Sequence, residues 1–194
     1  MIATFLRRIL LGLVFLFVMV NVHEVGHTVF ARLLGDDSAH YALYQVQGRS
    51  ACLGCNFYDS SRLGDLANVL VNFGGLIFTQ LLCWTAILLL AGGERPVLKR
   101  WMFLTAIVVT WSGDVILQLV QGLQVNIPSV LPRGPESTYT DYLAIVWFMR
   151  DRTGATVSDL KEGLLLGTIA YSALLLLATW WAMKRSQSRA GVMR

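Results

Sequence analysis

The chain has 194 residues, 55% of them hydrophobic and 14% charged, with a mean hydropathy of +0.57. A soluble domain carries about 25% charged residues, so this composition excludes a soluble enzyme, a disordered regulator and a nucleic-acid binder as leading readings. The net charge of +4 and the pI near 9.2 are assigned instead to lysines and arginines beside membrane segments, and the length allows one domain over residues 1–194.

Four uncharged runs are long enough to cross a hydrocarbon core of about 30 Å. The first covers residues 9–34, after Arg7 and Arg8, and ends at Gly35-Asp36-Asp37. It resembles a signal peptide, but Asn21-Val22-His23-Glu24 follows the apolar run in place of a small-residue cleavage site, so it reads as an uncleaved span. The second lies between Asp65 and Glu94, the third covers 101–123 after Lys99 and Arg100, and the fourth covers 163–183 before Lys184 and Arg185. Residues 142–149 are apolar but too few to span, and are expected to dip into the membrane or lie on it. Segments 36–65 and 124–160 read as loops, the second irregular because of Pro128, Pro132, Gly134 and Pro135. The expected fold is all-α: a polytopic membrane bundle of about four transmembrane helices and one short membrane-dipping helix.

Four spans put both termini on one side. With the termini inside, the inner flanks hold nine basic residues and one acid, Glu94, and the outer side holds seven basic and nine acidic residues. That bias favours a cell-membrane protein with cytoplasmic termini. Trp101, Trp180 and Trp181 stand near span ends, where indoles anchor at the interface.

Within the first span, His23-Glu24-Val25-Gly26-His27 is an H-E-x-x-H sequence. Residues four apart share a helix face, so both imidazoles can reach one metal ion. Glu24 is placed to take a proton from water activated by that metal. Zinc suits neutral imidazole, and a catalytic zinc keeps three protein ligands and one open position. With three histidines and four glutamates in the chain, the pattern would arise by chance in roughly one such chain in a thousand. The alternative is a polar helix–helix contact.

The third ligand is expected to be Asp114, the only acid within the third span. It lies 14 residues past Arg100, while His23 and His27 lie 15 and 19 past Arg8, so parallel spans bring all three to about one helical turn of the same depth. Asp141, just before the short apolar segment, is the rival, and its other reading is a helix N-cap. His40 is expected to be solvated. Asn21 and Asn72 are candidates for a water path, and Gly26, Gly74 and Gly75 for close approach of the first two helices. Cys52-Leu53-Gly54-Cys55 reads either as a disulfide or as two thiols, and Cys83 as a small apolar residue in the second span.

These residues resemble the site-2 protease family of intramembrane zinc metalloproteases. The resemblance rests on His23-Glu24-Val25-Gly26-His27 with the following Ala31-Arg32-Leu33-Leu34-Gly35, and on Asn72-Phe73-Gly74-Gly75 in the second span. It covers about the first half of the chain. It implies a helical bundle, zinc held by two histidines and a later aspartate, and hydrolysis of a peptide bond in a membrane-embedded protein substrate. His23 and His27 match the ligands and Glu24 the acid/base. Gly75 stands where the family usually has proline, and neither Ser112-Gly113-Asp114-Val115 nor Thr140-Asp141-Tyr142 matches the family's Leu-Asp-Gly. No room is expected for a PDZ-type sensor domain. The competing classes are a catalytically inactive relative that binds or chaperones membrane proteins, and a transporter.

Overall fold

In a bilayer a helix satisfies its main-chain polar groups within one segment, so the uncharged runs fold as helices. The computed structural model describes residues 2–47, 50–92, 97–124 and 141–192. Its elements are α1 (Ile2–Leu33), β1 (His40–Gln47), β2 (Ser50–Phe57), a 3-10 turn (Ser60–Arg62), α2 (Asp65–Ala91), α3 (Val97–Thr110), a π-helical turn (Trp111–Ile116), α4 (Leu117–Gln124), α5 (Asp141–Thr153) and α6 (Val157–Val192). Among the described residues four stretches are long and apolar enough to cross a membrane: Phe5–Leu33, Asp65–Ala91, Lys99–Gln124 and Val157–Ser188. The chain is an all-α bundle of membrane-spanning helices with one two-stranded sheet.

The end of α1 follows from Gly35. Its φ of +112° is a left-handed conformation that glycine adopts without a Cβ penalty. It allows the Asp36 N–H to reach the Ala31 carbonyl at 3.0 Å and the Gly35 N–H to reach Arg32 at 3.2 Å, which satisfies the last carbonyls of the helix. The chain then turns back along α1. Asp36 is fully buried at this corner and accepts hydrogen bonds from the Ser38 N–H (3.0 Å), the Ser38 hydroxyl (2.5 Å) and the Asp59 N–H (2.6 Å).

Segment 36–65 is more ordered than a loop. β1 and β2 pair antiparallel, from His40 opposite Phe57 to Gln47 opposite Ser50. Residues three apart in a regular strand point to opposite faces. Gly54, at φ +68°, twists β2 so that Cys52 and Cys55 meet in a disulfide with a Cα–Cα distance of 6.0 Å. The hairpin lies against the second half of α1. A Cβ on Gly54 would stand 3.2 Å from Val20 Cγ1, and the Tyr41 hydroxyl donates to Asn21 Oδ1.

α1 packs closely on α2 through glycine. A Cβ on Gly26 would overlap the Gly74 carbonyl oxygen, and one on Gly74 would sit 2.7 Å from the Gly26 carbonyl oxygen. Without a hydrophobic drive between helices in lipid, such close packing supplies the attraction. At the other end of the bundle, Cys83, Ile87 and Leu90 of α2 pack with Ala106 and Ile107 of α3 and with Leu175 and Ala182 of α6. α5, the short apolar segment, neither spans nor lies on a surface. Tyr142, Leu143, Ala144, Val146 and Trp147 are buried, and a Cβ on Gly122 would press to 2.8 Å of Tyr142 Cβ. The proline-containing stretch 125–140 lies outside the described residues.

Two outcomes are expected. Gly26→Ala should destabilise by about 1–3 kcal/mol through overpacking, while Gly12→Ala, where a Cβ meets nothing within 4 Å, should be neutral or stabilising. Thermal unfolding in detergent measures both. The second concerns Asp36. Burial pushes its carboxyl up, but the Ser38 and Asp59 hydrogen bonds and the Arg62 guanidinium outweigh this and hold it below the usual carboxylate range. Its contribution is therefore complete above about pH 4 and is lost as pH falls through the lowered folded value. Hydrogen exchange at residues 36–59 should lose protection in acid before the helices do, and Asp36→Asn should weaken that protection at neutral pH.

Candidate metal centre

Consecutive turns of α1 present His23 and His27 to the gap between α1 and α2, and both side chains are buried. The gap exists because α2 carries Gly75 there. A Cβ at that position would lie 2.6 Å from His27 Nε2 and 2.7 Å from His23 Nε2. The two Nε2 atoms face each other at 2.9 Å.

Each ring is oriented from behind. His27 Nδ1 lies 2.7 Å from the Val71 carbonyl oxygen, an acceptor, so Nδ1 carries the proton and Nε2 the lone pair. His23 Nδ1 lies 3.1 Å from Asp114 Oδ1 in a bent ion-pair contact, which favours the same tautomer. Asp114 is itself held by the Thr79 hydroxyl, one turn beyond Gly75 on α2. The π-helical turn brings Asp114 inward. The Leu117 N–H bonds the Ser112 carbonyl five residues back, and in this wide turn Asp114 and Val115 are buried.

Asp141 closes the site from a third direction. It begins α5, is buried, and puts Oδ2 at 3.1 Å from His23 Nε2 and Oδ1 at 3.5 Å from His27 Nε2. Gln118 Nε2 donates to Asp141 Oδ2 at 3.2 Å. Ligand atoms of His23, His27 and Asp141 all lie within 4.8 Å of one another, so this triad could hold a metal ion.

The donor chemistry fits such an ion. Two imidazoles and a carboxylate converge, a donor set that suits a divalent ion. Bonds of about 2.0–2.1 Å at tetrahedral angles put ligand atoms about 3.3 Å apart, close to the 2.9, 3.1 and 3.5 Å seen here.

The fold thus brings together His23, His27 and both aspartates in different positions. Asp114, expected as the third ligand, stands behind His23 on its Nδ1 side, and Asp141 stands with the two Nε2 atoms. The depth argument placed Asp114 correctly beside His23; which ring nitrogen it meets depends on packing. Glu24 is half-buried, and its Oε2 accepts from Asn56 Nδ2 at 3.0 Å. The hairpin thereby reaches the acid next to the histidine pair. His40 is exposed and stacks on Phe57, with ring centroids 5.1 Å apart. Asn21 anchors the hairpin through Tyr41, and Asn72 is buried with its amide donating to the Asn68 carbonyl at 2.7 Å.

Sequence reasoning missed Asn56, Thr79 and Gln118. Gln118 follows Asp114 by four residues, a helical spacing that marks one polar face; Asn56 carries no such signal. No family model matches the chain, and neither a curated protein nor a solved structure does.

Asp141→Ala should abolish stoichiometric metal in the purified protein. Asp114→Ala should keep it but weaken affinity by about 10–100-fold, the usual effect of removing a carboxylate that orients a ligating histidine. Metal analysis and chelator competition on both variants separate the two roles; loss of metal in Asp114→Ala alone would reverse them.

Proposed function

We propose that this chain is a zinc-dependent intramembrane endopeptidase that hydrolyses a peptide bond in a membrane-embedded protein substrate. The observation that carries this reading is the convergence of His23 Nε2, His27 Nε2 and the Asp141 carboxylate beside Glu24 inside a membrane bundle. Ionisable groups at membrane depth are expensive and are functional by default. The resemblance of the H-E-x-x-H segment to site-2 proteases supports the same class. The bundle is placed in a cell membrane with both termini cytoplasmic, on the basic bias of the inner flanks.

His23, His27 and Asp141 would hold the zinc ion, which supplies a Lewis acid that polarises the scissile carbonyl and acidifies water. Glu24 takes one proton from the attacking water and returns it to the leaving amide nitrogen, so that water and peptide yield a carboxylate and an amine. Asn56 fixes one oxygen of Glu24 and leaves the other free for the transfer. Val71 and Asp114 keep both imidazoles in the tautomer that offers Nε2 to the metal.

Glu24→Gln should abolish cleavage of a reconstituted transmembrane substrate while zinc stays bound. Cleavage at the wild-type rate by this variant would end the protease reading. Asn56→Ala should slow cleavage by about tenfold to a hundredfold through misplacement of Glu24, with unchanged zinc content.

A further inference from the structure

The opposite end of the bundle carries a second unusual feature. The end of α2, the start of α3 and the end of α6 enclose a cavity of about 240 Å³, the space of roughly eight waters at about 30 Å³ each. Leu90 and Met183 form part of its apolar wall, and Arg100, Trp101, Ser186 and Gln187 its polar side. No acid lines it.

Arg100 has one guanidinium donor with no acceptor among the described residues. Its Nε is buried with no hydrogen-bond partner, and among the described residues no ion pair involves it. By contrast, Arg32 Nε donates to the Ala39 carbonyl, Arg62 faces Asp36 and Asp59, and Lys161 donates to the Leu123 carbonyl. A guanidinium carries five donors and stays charged. Burying one of its N–H groups without an acceptor is unfavourable, and an anion is the group that relieves it.

The surroundings identify the anion's source. Trp101 lines the cavity and carries the Arg8 guanidinium 4.3 Å above its ring. Lys184 lies over Trp180 and Arg185 over Trp181 at the same end of α6. Indoles topped by cations at span ends mark the level of lipid headgroups, and basic residues there attract anionic lipid. Leu90, Leu104 and Met183 make one side of the cavity apolar, which suits the start of an acyl chain below a headgroup.

We infer that this cavity binds an anionic phospholipid, its phosphate paired with Arg100 and the start of an acyl chain against Leu90 and Met183. The site is about 22 Å along α2 from Gly75, so it stands independently of the metal centre and of the protease reading.

The test uses the full chain, purified in a neutral detergent. It is titrated with phosphatidylglycerol, with phosphatidylcholine and with inorganic phosphate, and read by thermal midpoint and by native mass spectrometry for retained lipid. Phosphatidylglycerol should raise the midpoint and remain bound; the other two should do neither. Arg100→Gln should weaken phosphatidylglycerol binding by about tenfold, as expected for losing a charged hydrogen bond, and the exposed Lys184→Gln by less than about twofold. Met183→Trp, which fills the cavity and keeps the charge, should also weaken it. Equal effects of both lipids, an equal effect of inorganic phosphate, or wild-type binding by Arg100→Gln and Met183→Trp would overturn the site.

Discussion

A side chain at Gly26, Gly74 or Gly75 would hold α1 and α2 apart, and the rest of the structure depends on their not being apart. With the helices in backbone contact, the Val71 carbonyl reaches His27, Thr79 reaches Asp114, and the two imidazoles fill the space that Gly75 leaves. The i, i+4 spacing of Val71, Gly75 and Thr79 keeps all three on one face of α2. One helix face therefore sets the separation, the ring orientation and the support behind the carboxylate.

The polar groups of the site are costly in a membrane, and the fold answers that cost by giving them partners. Asp114 has Thr79 and His23, and Asp141 has Gln118 and both histidines. Buried polar groups hold a geometry only when the network around them is satisfied. Here most partners come from a different helix, so the arrangement exists only in the assembled bundle. Among the described residues Arg100 Nε, at the other end of the bundle, is a buried donor without an acceptor.

Much of this was legible beforehand, for identifiable reasons. Span ends are marked by charges and by Gly35, because the apolar part of a membrane helix ends where ions begin, even where the helix itself runs on, as α1 and α6 do. The histidine pair follows from a four-residue spacing. Asp114 was placed at the right depth because rise per residue is fixed, but depth does not say which face of an imidazole a carboxylate meets. Asp141 follows a stretch without periodicity, so its approach could not be derived from spacing. The hairpin had a signal that went unread: two eight-residue runs, rich in tyrosine, leucine, valine and cysteine, flank Gly48-Arg49. Their short length and the glycine within the second run masked it. Asn56 was invisible, because a single asparagine in a strand gives no indication of which helix it will face.

The hairpin also bears on the membrane itself. It lies against α1 at Val20, Asn21 and Glu24, about 14–20 Å of helix rise from Leu33. A two-stranded ribbon leaves a row of main-chain N–H and C=O groups unpaired along each outer edge. In pure hydrocarbon each such group would cost several kcal/mol, and irregular or edge backbone persists at that depth only against protein or water. With Leu43, Tyr44, Val46 and Leu53 exposed on the same strands, the ribbon presents a mixed surface that hydrocarbon alone cannot solvate. At that level of α1 the ribbon's outer edge therefore calls for water or protein beside it rather than hydrocarbon.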